Sequence, residues 1–335
     1  MCFIEVNNLK VLILFGGNST EHEVSIKSIK SILENIDKKK FKVITAGISK
    51  KNEWFIYQDE IRLLDKNWLK RKTKKVENII EFLKEFDVVF PITHGTNGED
   101  GKLQGLLDLF NIKYVGSKTL ASAIGMDKEI SKILFSSLNI PQVDYITINK
   151  NYNIKDIEKN LTYPLIIKPA NGGSSIGINK ANNKKELIKS IKIALKYDNK
   201  VIVEKFIKAR ELECAILEDK ELIVSDIGEI NSCNEFYDYQ AKYKQNSNTS
   251  INANLDINVT NKIKEYAVLA FKGINAKGLA RIDFFYDEES NQIYLNEINT
   301  LPGFTTISMY PKLITKQNIT YKELITKLIK NAKEL

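Results

Sequence analysis

The sequence has few cysteines, few histidines and no long apolar run. Its three cysteines, Cys2, Cys214 and Cys233, lie far apart and form neither a CxxC pair nor a disulfide framework, so we interpret them as reduced thiols. The longest early apolar run, VLILF at 11–15, is too short for a membrane span or a signal-peptide core, and no small-residue cleavage site follows it. These absences predict a soluble globular protein of the cytosol without membrane insertion, long enough at 335 residues for two or three domains.

A surplus of positive charge is present, but it does not have the pattern of a nucleic-acid binder. The net charge is +8, with local basic runs at 38–40 and 70–75. Lysine is spread over the chain and mixed with acidic residues, no aromatic residues interleave with the basic runs, and no nucleic-acid motif occurs. We therefore expect these runs to be solvated faces and expect no nucleic-acid partner.

The pattern of apolar residues predicts three units. Residues 1–116 alternate strand-like and helix-like segments, which predicts an α/β unit with a parallel sheet. Residues 117–204 begin with the helical segment DKEISKILFSSL and contain strands that we expect to be antiparallel. Residues 205–335 contain four strand-like segments and helices near 258–274 and 320–333. Within this unit the polar segment 231–255 fits neither periodicity and predicts a long loop. Loops of this length are usually functional lids or disordered, and the three tyrosines of this segment favour a lid.

The segment FGGNSTEHEVS, residues 15–25, joins a strand to a helix through two glycines. Backbone N–H groups at such a helix start can receive an anion, and Glu21 stands in its first turn. Thr20 and Glu23 also fit a capping box, so a purely structural role for the acidic residues stays open at this point.

The segment HGTNGEDGKLQG, residues 94–105, also follows a strand and precedes a helix. This is the usual position of the ligand crevice in an open α/β sheet. Four glycines and two acids in twelve positions favour a loop that lines a ligand. His94 is one of two histidines in the chain, and the alternative for it is a hydrogen-bonded structural role.

The segment IIKPANGGSSIGI, residues 166–178, places a lysine at a strand end and then a loop of glycine and serine. It is neither a P-loop nor a Rossmann fingerprint, because a second strand rather than a helix follows it. Backbone N–H groups and the hydroxyls of Ser174 and Ser175 can bind phosphate oxygens, and Lys168 supplies positive charge. We interpret the segment as a hairpin over phosphates, with a plain glycine hairpin as the alternative.

The segments ARIDFF and YLNEINTLPGF carry a set of oxygen ligands. In an extended chain the side chains at i and i+2 share a face, so Glu297 and Asn299 should continue the face on which Leu295 is buried. Asp283 lies one strand earlier across a turn-like DEESNQ, which predicts a hairpin. Carboxylate and amide oxygens are the ligands that Mg²⁺ prefers, and an exposed hairpin face is the alternative.

Together, GGNSTEHEVS, HGTNGEDGKLQG, KPANGGSSIG, FYDYQAKY and ARID…LNEINTLPG resemble the D-alanine–D-alanine ligases of the ATP-grasp superfamily in order and spacing. The resemblance spans nearly the whole chain. It implies an α/β protein of the ATP-grasp fold, in which an N-terminal domain, 1–116, binds the first D-alanine and two α+β lobes, 117–204 and 205–335, clamp ATP. It also implies ATP-dependent formation of D-alanyl-D-alanine for peptidoglycan synthesis, in which the γ-phosphate first converts a poorly electrophilic carboxylate into an acylphosphate.

The resemblance also implies the nucleotide and metal sites. Two Mg²⁺ or Mn²⁺ ions would be held by Asp283, Glu297 and Asn299, and a monovalent cation is left open. The nucleotide contacts that it implies are the phosphate-binding Lys128, Lys168 and, from the lid, Lys242, the adenine-binding Glu204, Lys205, Phe206 and Ile207, and the ribose ligand Glu211.

The substrate site implied by the resemblance draws on both ends of the chain. Glu21 would pair with the ammonium of the first D-alanine, and Ser174 and Tyr243 would orient it. The remaining implied contacts are Arg281 and the Gly303 N–H at the oxyanion of the tetrahedral intermediate, Ser308 and the Met309 N–H at the carboxylate of the second D-alanine, and His94 beside the substrate. A homodimer is also expected.

Three other functions are alternatives to this one. A ligase that joins D-alanine to D-lactate or D-serine is the nearest rival, and Tyr243 argues against lactate because lactate-using relatives commonly replace it. A nucleotide-binding regulator without catalysis conflicts with the presence of the metal ligands, Arg281 and Lys168. A nucleic-acid-binding protein is the most distant alternative. Residues 48–82 match no motif.

Overall fold

The computed structural model describes residues 8–231 and 248–334, which form three sheets, each accompanied by helices. Of the cysteines, Cys2 and Cys233 lie outside these residues, and Cys214 is a free, fully buried thiol whose pKa is raised by burial to about 12. Within residues 8–231 and 248–334, none of the helices combines the length and the apolar character that crossing a bilayer requires.

The first sheet has the strand order β4-β3-β2-β1-β5. β1 pairs in parallel with β2 and β5, as predicted, whereas β3 and β4 add an antiparallel edge. Its strands are β1 Leu9–Gly16, β2 Phe41–Ile48, β3 Trp54–Tyr57, β4 Thr73–Lys75 and β5 Val88–Pro91, and its helices are α1 His22–Asn35, α2 Ile79–Lys84 and α3 Lys102–Leu109.

Both faces of β1 are buried, because alternate residues of its apolar run enter two different cores. Val11, Ile13 and Phe15 join one hydrophobic cluster, and Leu12 and Leu14 join another. A continuous apolar run is typical of a parallel strand that is covered on both faces.

The second sheet has the order β6-β9-β7-β8, and all its pairs are antiparallel, which confirms the prediction for this part of the chain. Its strands are β6 Tyr145–Ile148, β7 Leu165–Pro169, β8 Asn179–Ala181 and β9 Val201–Lys205, with the neighbouring helices α4 Thr119–Met126, α5 Lys128–Ser137, α6 Ile154–Asn160 and α7 Lys184–Ala194.

The third sheet has the order β12-β11-β10-β13-β14 and is also antiparallel. Its core is continuous with that of the first sheet, because residues of both sheets and of the last helix share one hydrophobic cluster. The division at 116 and 204 therefore stays a prediction. The elements are β10 Arg210–Glu218, β11 Leu222–Asn231, β12 Asn248–Ser250, β13 Leu279–Asp287, β14 Gln292–Asn299, α8 Ile257–Gly273, α9 Met309–Thr315 and α10 Tyr321–Glu334.

The predicted lid lies only partly within the described residues. Residues 232–247 fall outside them, together with the predicted ligands Lys242 and Tyr243. At the edges of the predicted loop, residue 231 ends β11 and β12 pairs with it, so these positions are strand rather than loop.

The unexplained residues 48–82 build the wall behind the first glycine loop. Trp68 is buried, its ring lies 4.9 Å from that of Phe15, and its Nε1–H donates to His22 Nε2 at 3.2 Å. A Cβ atom on Gly47 would come within 2.5 Å of the Trp68 ring, so this close packing depends on glycine. The segment therefore supports the strand-to-helix turn that carries Glu21.

Candidate active site

A cavity of about 520 Å³ lies between the second and third sheets. One wall comes from β7, the glycine-serine loop and the start of α5, and the other comes from β10, β13 and β14. The cavity thereby brings together many of the predicted nucleotide and metal residues, namely Lys128, Lys168, Ser174, Ser175, Glu204, Lys205, Phe206, Ile207, Glu211, Asp283 and Glu297.

The glycine-serine loop contacts Glu21, which comes from the first unit. Ser174 Oγ donates to Glu21 Oε1 at 2.5 Å, and both side chains are buried. A Cβ atom on Gly173 would lie 2.7 Å from Glu21 Oε2, and one on Gly95 would lie 2.6 Å from the same oxygen. Glycines of two predicted loops thus let the backbone approach one carboxylate, which ties Glu21 to the cavity.

His94 connects three segments beside Glu21. Its Nε2 lies 3.0 Å from Ser28 Oγ in α1, and its Nδ1 lies 3.1 Å from the Leu301 carbonyl oxygen. Its own carbonyl accepts from Ser19 Oγ at 2.6 Å. Both ring nitrogens are therefore used inside the protein, and this geometry favours a role in holding the loops together.

Helix α5 carries two buried lysines, of which Lys128 lines the cavity. Its N-cap Asp127 accepts from the backbone N–H groups of Glu129 and Ile130, which starts the helix at Lys128. Lys128 and Lys132 are four residues apart and share one face of the helix. Lys128 Nζ donates to the Gly172 carbonyl oxygen at 2.8 Å and lies 3.3 Å from Glu297 Oε2.

Glu204 is buried between two lysines. Lys168 Nζ lies 2.7 Å from its Oε2, and Lys132 Nζ lies 2.9 Å from its Oε1. Burial alone would raise the pKa of Glu204, but the two ammonium groups outweigh it and lower this pKa to about 2. Burial lowers the pKa of Lys168, with Glu204 opposing that shift. The Glu204 carboxylate is thus flanked by two ammonium groups at ion-pair distance.

The end of the cavity at which the resemblance predicts adenine is lined by the segment that follows β9. Lys180, on β8, places its Nζ 3.9 Å from the centre of the Phe206 ring, a cation–π distance. Glu211 lines the same cavity from β10. Lys180 was missed in the sequence, because only the pairing of β7 with β8 turns it toward this end.

The hairpin of β13 and β14 forms as predicted, but the side chains of β14 do not alternate between the two faces as expected. Asp283 pairs with Glu297, whereas the next residue, Phe284, pairs with Leu295. Asn296 is therefore the extra residue of a β-bulge, which shifts the alternation by one position. The expectation that Glu297 and Asn299 continue the buried face of Leu295 is wrong: Leu295 points into the core, and Glu297 faces the cavity.

Three carboxylates lie in one row across the third sheet. Glu213 on β10 pairs with Asp283 on β13, which pairs with Glu297 on β14. Arg281 offsets their charge, since it binds Asp283 with two nitrogens at 2.7 Å each and lies 3.2 Å from Glu213. Burial by itself would lower the pKa of Arg281, but these acids outweigh it and hold the pKa well above its ordinary value. Glu213 was missed in the sequence, although its i+2 spacing from Glu211 was a usable signal.

The oxygens of this hairpin fit a hard cation. Asp283 and Glu297 are direct cross-strand partners, and Asn299 Nδ2 donates to Asp283 Oδ2 at 3.0 Å, so the three side chains form one patch. Among the residues that the structure describes, no group of three His, Cys, Asp or Glu side chains is arranged to hold a metal ion. The predicted set joins two of these carboxylates with one amide, that of Asn299.

The predicted contacts for the second substrate lie outside the cavity wall. Ser308 Oγ lies 2.7 Å from Thr305 Oγ1 and accepts from the Thr305 N–H at 3.0 Å. A Cβ atom on Gly303 would lie 2.8 Å from Ser308 Oγ, which brings these two predicted residues together. Met309 is buried in the first turn of α9.

Glu99 is a further acid, close enough to Glu21 to feel its charge, that is not among the predicted site residues. Burial, followed by the charge of Glu21, raises its pKa to about 8, and a hydrogen bond from the backbone of Gly95 opposes this shift. A carboxyl group that titrates near neutral pH is typical of an active site. In the sequence, Glu99 could have been selected as one of the two acids of the HGTNGEDG segment.

Two family models match the chain. Residues 10–117 match the model described as D-ala D-ala ligase N-terminus, and residues 134–330 match the one described as D-ala D-ala ligase C-terminus. Together they cover most of the sequence and all of the motifs that line the cavity.

Individual relatives agree with the family models. A D-alanine–D-alanine ligase from Caldicellulosiruptor bescii is 46% identical over 98% of this chain and 96% of its own length, and one from Clostridium novyi is 46% identical over 97% and 98%. Among solved structures, the VanG D-Ala:D-Ser ligase from Enterococcus faecalis has a TM-score of 0.89 at 38% identity, covering 97% of this chain and 100% of that one. The D-alanine–D-alanine ligase from Bacillus anthracis complexed with ATP has a TM-score of 0.78 at 28% identity, over 97% and 98%.

Proposed function

The chain belongs to the D-alanine–D-alanine ligase family, and from this premise we propose how its residues divide the reaction among themselves. The enzyme has the ATP-grasp fold and joins two D-alanines to D-alanyl-D-alanine, with ATP as the co-substrate and an acylphosphate as the intermediate, for peptidoglycan precursor synthesis. We propose the roles of individual residues, the metal ions, the domain boundaries and the assembly.

ATP is proposed to occupy the cavity of about 520 Å³ with its adenine beside Phe206 and its phosphates toward α5. Lys128 and Lys168 donate to phosphate oxygens, and the Ser175 hydroxyl adds a neutral donor. Support comes from the shared lining of the cavity by these residues. The other proposed nucleotide contacts are the backbone of Glu204, Lys205 and Ile207 at adenine, Glu211 at ribose, and Lys242, which lies outside the described residues.

In the first step, a carboxylate oxygen of the first D-alanine attacks the γ-phosphorus and the bond to ADP breaks. Glu21 holds the ammonium of this D-alanine, and Ser174 fixes Glu21 through their 2.5 Å hydrogen bond. Tyr243, outside the described residues, keeps its predicted orienting role. His94 acts by holding these loops together, a role that we prefer to direct substrate contact because both ring nitrogens are bonded to the protein.

In the second step, the amine of the second D-alanine loses a proton and attacks the acyl carbon, and inorganic phosphate leaves. Arg281 and the Gly303 N–H stabilise the tetrahedral oxyanion. Ser308 and the Met309 N–H hold the carboxylate of the attacking D-alanine, which orients its amine toward the acylphosphate.

Divalent ions, Mg²⁺ or Mn²⁺, are proposed to bind at Asp283, Glu297 and Asn299, where they would supply positive charge beside the phosphates. The oxygen chemistry and the shared patch of these side chains support this assignment. The ion pairs of Asp283 with Arg281 and of Glu297 with Lys128 already place positive groups against these carboxylates.

We also propose the domain roles, the cellular location and the assembly of the enzyme. Residues 1–116 bind the first D-alanine, 117–204 and 205–335 clamp ATP, and the reaction takes place in the cytoplasm, where ATP is available. A homodimer is proposed, supported by the exposed Leu109 and Leu120 at the adjoining helices α3 and α4. Sedimentation of the purified protein tests the dimer.

The observation that carries this proposal is one cavity with lysines on one wall and the hairpin carboxylates on the other. Replacement of Glu297 by Gln keeps the shape and removes one charge, so D-alanine-dependent phosphate release should fall at least about a hundredfold, since several kcal/mol of charge stabilisation are lost. The matched control is Glu289→Gln in the exposed turn of the same hairpin. Near-parent turnover in a folded Glu297→Gln enzyme would remove the hairpin from the proposed site.

A further inference from the structure

Lys132 has no part in the proposed reaction, yet it is one of the most completely buried charged residues of the described chain. Its side chain is 2% exposed, and it lies one helical turn beyond Lys128 on α5. Lysine is rarely buried without a specific anionic partner, because removal of its ammonium from water is costly. The partner here is the Glu204 carboxylate at 2.9 Å.

Glu204 also holds Lys168, at 2.7 Å, so one carboxylate is shared by two ammonium groups. The three side chains, Lys132, Glu204 and Lys168, are called the shared-carboxylate group below. Lys168 and Glu204 line the cavity, whereas Lys132 does not. Lys168 Nζ additionally lies 3.3 Å from Asn296 Oδ1, on the bulge of β14. Lys168 is therefore the cationic member of this group that a ligand in the cavity can reach.

The second lysine changes the net charge of the shared-carboxylate group. With Lys168 alone, Glu204 would form a neutral pair, and a phosphate would have to compete with that carboxylate for the same ammonium group. With Lys132 present, the group carries a net positive charge in a site of low dielectric constant, where such a charge acts strongly. The excess charge faces the cavity at Lys168.

We propose that Lys132 is a positioning residue for the nucleotide: by binding Glu204 from behind, it leaves Lys168 with uncompensated positive charge for the phosphates. The inference rests on the phosphate-binding role proposed above for Lys168. Lys132 itself touches neither nucleotide nor substrate.

A purely structural role for Lys132 makes a different prediction. Its Nζ also lies 5.0 Å from the centre of the Tyr145 ring, and its whole side chain is buried. Loss of packing would disturb the whole nucleotide site, adenine end included. Loss of charge would affect only ligands that carry phosphates.

The experiment measures the affinities of ADP and of adenosine by calorimetry without divalent metal, for parent, Lys132→Met, Lys168→Met and the double variant Lys132→Met/Glu204→Gln. Lys185→Met, an exposed lysine at the start of α7, is the matched control. Should Lys132→Met not fold, Lys132→Gln makes the same comparison, since it keeps a donor for Glu204 without the charge.

We expect Lys132→Met to weaken ADP about ten- to a hundredfold, the range of one charge-assisted hydrogen bond, and adenosine less than about threefold. The double variant should recover most of the ADP affinity, because removing the carboxylate frees Lys168 again. Equal losses for ADP and adenosine, or a double variant no better than Lys132→Met, would overturn the inference alone. An unchanged ADP affinity in Lys168→Met would overturn the proposed role of Lys168 and this inference with it.

Discussion

The two parts of the active site are held together by different interactions. In and beside the proposed nucleotide cavity many of the contacts are ion pairs, such as Lys128 with Glu297 and Arg281 with Asp283. Around Glu21 the supporting contacts are mostly hydrogen bonds between uncharged groups and close approaches of glycine. Examples are the bond of Ser19 to the His94 carbonyl and the contact of Gly95 with Glu21.

This difference indicates which contacts change when ligands bind. In the proposed site, a phosphate would replace Glu297 at Lys128 and a divalent ion would replace Lys128 at Glu297, so each charged group would exchange one partner for another of the same sign. The contacts around Glu21 have no ligand counterpart to replace them. We infer that the cavity is built for exchange of charged partners and that the surroundings of Glu21 are built to hold one geometry.

The largest effect is expected where the fixed geometry is broken. Gly95 has a φ of +74°, and a Cβ atom there would lie 2.6 Å from Glu21 Oε2. Gly95→Ala should therefore displace Glu21 and lower D-alanine-dependent phosphate release by about a hundredfold, the value of one charged hydrogen bond. Its ADP affinity should change little.

Gly105→Ala is the control for that variant, because a Cβ atom on Gly105 meets its nearest neighbours at 3.7 Å and 3.8 Å. A Gly95→Ala enzyme with activity within threefold of the parent would contradict the fixed geometry of Glu21.

A smaller effect is expected when the pH is lowered enough to protonate Glu204, which pairs with Lys132 and Lys168. The pKa of Glu204 in the folded protein is about 2, below its ordinary value of 4.5. The ionised Glu204 carboxylate therefore contributes its full share to the free energy of unfolding above about pH 4.5. This contribution is lost as the pH falls toward 2 and the carboxylate is protonated. Between pH 5 and pH 3 the parent should lose about 2 kcal/mol more free energy of unfolding than Lys132→Met/Glu204→Gln. Denaturant titrations at both pH values measure this, and parallel losses would show that Glu204 is not the depressed group.

The smallest effect is expected from the loss of a neutral hydrogen bond near Glu21. Ser28 Oγ lies 3.0 Å from His94 Nε2 and accepts from the Phe304 N–H at 3.3 Å. Ser28→Ala should cost on the order of 1 kcal/mol of stability, because buried partners lose a hydrogen bond. It should raise the KM for D-alanine and leave ADP affinity unchanged.

Ser31→Ala, one turn further along α1, is the control for Ser28, since its hydroxyl lies 3.5 Å from the Lys27 carbonyl oxygen of its own helix. If Ser28→Ala weakens ADP as much as D-alanine, the separation between the two parts of the site does not hold.

The sequence predicted several local features well. The hairpin that carries Asp283 and Glu297, the antiparallel strands after 117 and the parallel pairing of the first strands are all confirmed. Each depends on spacing within one or two neighbouring segments, where apolar periodicity acts directly. Asn296 shows the limit of that reasoning, because a bulge adds one residue and reverses the alternation beyond it.

By itself the sequence determined the family, the reaction and the ends of strands that carry the motifs, because these depend on residue types and short spacings. Only the tertiary structure decided which charges meet. Glu204 is bound by Lys132 and Lys168, and Trp68, from a segment without a motif, supports the loop of Glu21. Such contacts join elements far apart in the chain, so they are fixed by strand register and by the packing of helices on sheets, which no local pattern encodes.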